Sequence, residues 1–303
     1  MLSSIEATSL GSVEATAAAL GRLDFAMRGA PESVRAAAVA RFARTVLEDG
    51  DVGTMLAPHP SAAPTLPTRY HDALRRIADG AGGDDAQRIT SLVAYADAGS
   101  SVPGAPNTLA NALADVLSSP MAAASGLAAA AMAAGLIVRP APMSRAAVHA
   151  AALGAAAILV TRGLIGGPWV STVRLDAYGR SAAVQLERSG QWGPWLDAFC
   201  RALTREAEAV RRAANAVIEA FAAERQRVRA TRRVGATDEA VLAYLQAEPH
   251  LTIADASRAL GLTVPTVGTA ISRLEAASLA VEVTGRRRDR AWIASGVYAF
   301  AAG

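Results

Sequence analysis

The sequence predicts a mainly α-helical chain that ends in a small α+β unit, and three observations predict it. Apolar residues recur at helical spacing over most of the first 233 positions. The apolar fraction is 52% but aromatics are only 5%, so alanine supplies much of the core and helices can pack closely. From Thr237 the elements shorten, and two β-rich runs flank an arginine-rich turn. A chain of 303 residues suits about two domains. The charged segment TRRVGAT (231–237) is read as the boundary between a helical domain, 1–233, with its core at about 109–233, and a second domain, 237–303.

Ser3 to Leu23 reads as a first helix and Pro31 to Glu48 as a second, with Pro31 suited to a first turn and Asp49-Gly50-Asp51 as a stop. Residues 57–67 (APHPSAAPTLP) form a loop, helical patterns resume over 70–79 and 85–97, and 98–107 (AGSSVPGAPN) form a second loop. Leu109 to Thr161 is helical in pattern except at RPAP, 139–142. After GLIGGPWVS come helices near Leu175–Arg188 and over Trp192–Arg233, the latter amphipathic in its second half. Trp169, Trp192 and Trp195 are expected to cap the helical core.

Composition excludes several functions. Cys200 is the only cysteine, so no disulfide forms within the chain, cysteine-rich zinc sites are ruled out, and a reducing cytoplasm is the expected setting. The opening residues lack a charged n-region and an apolar h-region, so export by the general route is not expected. Met121 to Val138 approaches membrane-spanning length but is mostly alanine, so it reads as a buried helix, and no membrane partner is expected. His59 and His71 lack a second ligand at metal spacing, His250 follows Pro249 at a turn, and His149 stands alone on an alanine-rich helix. Ser144 lacks a nucleophile-elbow motif, and Gly166-Gly167 lacks a phosphate-loop ending. No metal or cofactor is expected.

The last part carries the clearest motif. DEAVLAYLQA (238–247) forms a short helix with Val241, Leu242 and Leu245 on one side, stopped by Pro249. Thr252 caps IADASRAL, whose Ile253, Ala256 and Leu260 share a face, and Gly261 suits a tight turn. The next helix runs from Val264 or Pro265 to Leu279, burying Val267, Ala270, Ile271, Leu274 and Leu279. That leaves Thr263, Pro265, Thr266, Thr269, Ser272 and Arg273 outside. Two strands, around Val281–Val283 and Ala291–Ile293, flank TGRRRDR. The pattern resembles a winged helix-turn-helix. That resemblance implies duplex DNA as partner, with Thr263, Thr266, Thr269 and Arg273 toward the major groove. Arg286, Arg287, Arg288 and Arg290 would lie on phosphates or in the minor groove. A second cationic group, Arg225, Arg227, Arg229, Arg232 and Arg233, reads equally as a solvated helix face with its linker.

The order of pieces before and through this module resembles Fic (Fido) proteins with an appended winged helix. ILVTRGLI (158–165), GPWVS (167–171), SGQWGPWLDAFCRAL (189–203) and TGRRRDRAWI (284–293) stand where that family runs from its active-site helix to its wing. AAALGRLDFAM (17–27) looks like the family's opening helix, and Thr45 to Gly50 like its inhibitory segment with Asp49 for the usual glutamate. An active member needs HPFx(D/E)GNGRxxR. The matching positions hold Ala141 for the base, Arg145 for the magnesium-binding carboxylate and His149 for the phosphate-binding arginine, and both glycines are missing. The resemblance thus implies a Fic-like scaffold without its chemistry.

The function expected is transcriptional regulation by a bacterial DNA-binding protein. Two other classes remain open: a divergent transferase moving AMP onto protein hydroxyls, and a protein-interaction module without DNA binding. A homodimer and a protein partner of the helical domain are further open partners.

Overall fold

The computed structural model describes residues 7–47, 51–57, 73–74, 76, 90, 113–115, 117–119, 122, 125–140, 145–171, 177–230 and 235–303. The expected loops over 57–67 and 98–107, the helices over 70–79 and 85–97, His59, His71 and the segment 141–144 lie wholly or almost wholly outside those residues.

Among the described residues seven helices build the first part: α1 (Ala7–Arg28), α2 (Glu32–Leu47), α3 (Val52–Leu56), α4 (Gly126–Val138), α5 (Arg145–Thr161), α6 (Ala177–Ser189) and α7 (Trp192–Ala230). The remainder is α8 (Ala236–Ala247), β1 (Leu251–Thr252), α9 (Ile253–Leu260), α10 (Val264–Ala276), β2 (Ala280–Glu282), β3 (Ala291–Ala294) and α11 (Ser295–Ala302). The chain is therefore a helical body followed by a small α+β unit, as the pattern of the sequence implies. α1 runs past the expected end at Leu23 because Leu23 and Met27 continue its buried stripe.

Alanine packing organises the body. α4 buries Leu127 to Gly135, Ile137 and Val138 around its whole circumference, the signature of a helix enclosed by neighbours. It packs along α5, whose Ala150 to Leu159 are also buried. Trp195, 2% exposed, reaches from α7 to donate its indole N–H to the Ala131 carbonyl at 2.7 Å. Gly135 permits this approach, since a Cβ there would lie 2.6 Å from Trp195 Nε1 and 2.7 Å from Trp192 Cζ3. Trp169 is also buried, so the three tryptophans do sit against the helical core. α1 lies along α7, with the buried Thr16 hydroxyl bonded to the Cys200 carbonyl at 3.1 Å and to Thr204 Oγ1 at 2.8 Å.

The 39 residues of α7 span about 58 Å at 1.5 Å per residue. Its buried stripe, Val210, Ala214, Val217, Phe221, Glu224 and Val228, keeps alternating three- and four-residue steps and carries the core from the body into the C-terminal unit. α11 packs on α2, α3 and α7. Its last carbonyls accept from the body's arginines, Phe300 O from Arg41 Nη1 at 3.5 Å and Ala302 O from Arg44. The Ser33 hydroxyl donates to the Gln246 carbonyl at 2.5 Å, and Gln246 Nε2 donates to Glu224 Oε2 at 2.8 Å. The position read from sequence as a boundary is thus bridged by one continuous core. The sequence reading missed two elements there, β1 and α11.

Candidate nucleic-acid interface

Four helices and three strands make up the C-terminal unit. Gly235 is the N-cap of α8, and its N–H donates back to Asp238 Oδ2 at 3.3 Å. α9 is capped by Thr252, which accepts from the Asp255 amide at 3.2 Å and donates its hydroxyl proton to Asp255 Oδ2 at 2.6 Å. Gly261 ends α9 at φ 64°, a conformation that costs a side chain-bearing residue energy, and so turns the chain into α10. Thr263 caps α10 and Pro265 sits in its first turn. Val267, Ala270, Ile271 and Leu274 are its buried stripe, as the spacing requires. β3 is the central strand of an antiparallel sheet ordered β1-β3-β2, pairing Leu251 with Trp292 and Val281 with Ile293.

The outward face of α10 is uncharged in its first two turns. Thr263, Val264, Pro265, Thr269, Ser272 and Arg273 are exposed and Thr266 is half-buried. The Thr263 and Thr266 hydroxyls bond each other at 2.7 Å, Thr269 donates to the Pro265 carbonyl at 3.0 Å, and Ser272 to the Gly268 carbonyl at 3.0 Å. Arg273 lies toward α8, where its Nη1 is 3.2 Å from the carboxylate of Asp238, a residue only 1% exposed. A guanidinium anchored on a buried carboxylate is held back from the centre of the face. The outward centre of the helix passes instead through Pro265, Thr269 and Ser272, with Val264 and Gly268 on the flank toward the wing.

The wing is the β2–β3 connection. Glu282 shapes its base by accepting from the Thr284 amide at 2.8 Å, the Gly285 amide at 3.2 Å and the Thr284 hydroxyl. Partial burial pushes the Glu282 carboxyl up, but these donors and nearby Arg290 together hold it below the ordinary carboxylate value. Gly285 at φ 62° and Asp289 at φ 52° turn the tip.

The four wing arginines separate into two groups. Arg290 sits at the base, 4.8 Å over the Trp292 ring and 3.6 Å and 3.9 Å from the Glu275 and Glu282 carboxylates. Arg286, Arg287 and Arg288 are exposed at the tip and have no carboxylate partner among the described residues. Between α10 and the wing lies a cleft of about 520 Å³, with Ile253, Ile271 and Trp292 in its lining and Ser272, Glu275 and Arg287 among its polar groups.

Residues 236–279 match the winged helix-turn-helix DNA-binding family. The match spans α8 to the end of α10, and the wing follows directly after it. No curated protein matches the chain. The C-terminal unit is a winged helix-turn-helix, and its family is one of DNA binders.

Other residues considered from sequence are not brought into a site. His149 is half-buried on α5, and His250 is half-buried after α8. Cys200 is buried, and burial chiefly pushes its thiol up to about 11. Of the second arginine group, Arg229 is paired with Glu239, joining the end of α7 to α8. Among the described residues no cluster could hold a metal ion, and no helix is long and apolar enough to cross a membrane. Val264 and Gly268 were missed as groove-facing candidates. The signal that could have found them is angular, since stepping 100° per residue from the buried stripe places them on the open flank.

Proposed function

We propose that this protein is a sequence-specific DNA-binding regulator of transcription. α10 enters the major groove with Pro265, Thr269 and Ser272 central, Thr263 and Thr266 at its N-terminal end, and Arg286, Arg287 and Arg288 on the phosphates or in the adjacent minor groove. The observation that supports this most is the wing tip. Three exposed guanidiniums, without carboxylate partners among the described residues, stand beside a helix whose outward face carries small hydroxyl and apolar groups. A protein partner covering that tip would have to desolvate three charges, which is unfavourable unless it supplies matching carboxylates. A duplex supplies phosphates at a regular spacing and releases counterions on binding.

The test is the salt dependence of binding. Each phosphate contact adds about 0.9 to the slope of log affinity against log salt, so replacing Arg286, Arg287 and Arg288 by Ala should lower its magnitude by up to about 2.7. An unchanged slope in a gel-shift titration overturns the wing assignment. Arg290, held by Trp292 and two carboxylates, should contribute less than any tip arginine, and Arg273 less than the threonines.

The likeness of residues 1–233 to Fic proteins enters this proposal only as a scaffold without transferase chemistry. It rests on motif resemblance, with Arg145 and His149 at positions where a magnesium ligand and a phosphate cation would be needed. Transfer of label from ATP to the protein itself or to lysate proteins, in the presence of magnesium, would overturn it.

A further inference from the structure

α10 lacks the side chains that usually read purines. It contains no Asn, Gln or Lys, and its one arginine, Arg273, is 3.2 Å from Asp238. Paired hydrogen bonds to guanine from Arg or Lys, or to adenine from Asn or Gln, are therefore unavailable on this face.

What the face does offer is specific. Val264 in the first turn is 55% exposed, and only Phe25 joins it among the large hydrophobic side chains left exposed in the described residues. Pro265 beside it is exposed. The Thr269 and Ser272 hydroxyl protons are committed to the Pro265 and Gly268 carbonyls, both at 3.0 Å. Their oxygens keep lone pairs and meet an incoming group as acceptors. Gly268, on the row between Val264 and Ser272, presents bare backbone, although a Cβ there would find only Ile253 Cδ1 at 3.8 Å, so packing does not demand glycine.

In the major groove thymine alone of the four bases presents a methyl group, while adenine N6 and cytosine N4 present donors. We propose that Val264 packs on thymine 5-methyl groups while the Thr269 and Ser272 oxygens accept from adenine or cytosine amino groups. The half-site read by α10 is then defined by thymine methyls rather than by guanine. This rests on the DNA-binding reading above and extends it to the chemistry recognised.

The full chain is incubated with random duplexes, and the retained sequences are remade with deoxyuridine for thymidine, which removes the methyl and keeps the base pairing. The wild type should bind the uracil duplex about fourfold more weakly per contacted methyl. Val264→Ala, an exposed substitution that leaves the fold intact, should bind the thymine duplex more weakly by a similar factor and bind the two duplexes equally. Equal binding of both duplexes by the wild type overturns the inference and leaves the DNA-binding reading standing. So does a full uracil penalty retained by Val264→Ala. Failure to retain any duplex overturns both.

Discussion

Replacing Gly268 with Ala should stabilise the fold and weaken DNA binding, two effects of opposite sign from one methyl group. Glycine inside a helix costs about 1 kcal/mol relative to alanine. Here the backbone is not in the left-handed region, and the new Cβ would meet Ile253 Cδ1 at 3.8 Å, an ordinary contact. Most of that cost should therefore be recovered, roughly 0.5–1 kcal/mol. Unfolding entropy of about 2.1 cal/mol/K per residue makes this a rise in Tm of only about 1–2 °C if all 303 residues melt together. If residues 235–303 melted alone, the same energy would raise Tm by about 3–7 °C. The continuous core argues for the smaller shift. In the complex the methyl projects into the cleft between α10 and the wing. A crowded methyl costs about 1–3 kcal/mol, so affinity should fall roughly 5- to 150-fold. Thermal melting by circular dichroism and a gel shift at fixed salt measure the two effects. A lower Tm would refute the packing of Gly268, and an unchanged affinity would refute approach of the duplex along this flank.

Asp238→Ala removes the carboxylate that caps α8 and holds Arg273. It should cost about 1–2 kcal/mol in a denaturant titration and, by freeing Arg273, raise affinity for guanine-containing duplexes. Phe300→Ala should cost about 3 kcal/mol, because Phe300 is 5% exposed and packs under Arg41, 5.9 Å from its ring. Limited proteolysis should then cut near α11 before the body is digested. Cys200 should react with iodoacetamide at pH 8 only when the chain unfolds, since its thiol titrates at about 11 against an ordinary 9.0. Because the folded value is the higher one, the unfolded chain binds fewer protons between pH about 9 and about 11, and stability should fall across that window as pH rises.

The fold was legible wherever local rules act alone. Thr252 as a cap, Gly261 at positive φ and the stripe Val267, Ala270, Ile271 and Leu274 follow from capping and helical period without tertiary information. β1 was not legible, because its two residues form a strand only by pairing with β3. α11 could have been read, since Val297, Phe300 and Ala301 keep helical spacing, but the expected module closed at its second strand. At the site, sequence gives residue types but not their partners. The sequence reads Arg273 as a major-groove contact and Arg290 as one more wing-tip arginine, whereas Asp238 holds the first and Glu275, Glu282 and Trp292 hold the second. These partners come from another element or from the base of the wing, and no spacing rule reports them.

The change of pattern at 231–237 marks a change of architecture, not a break in packing. A tethered winged helix would need only a linker, whereas this one shares Val217, Phe221 and Val228 of α7 with the body. It also buries a polar contact at the junction, where Gln246 is 1% and Glu224 9% exposed. Buried polar groups tolerate little sliding, because a shifted register leaves one of them without its partner. The docked surface is α8 and α11, while the α10 face and wing tip stay exposed. Docking therefore fixes the orientation of the α10 face and wing without covering them. Any rearrangement of α2 or the end of α7 must either carry that face along or break the contacts of Ser33 with Gln246 and of Arg41 with Phe300.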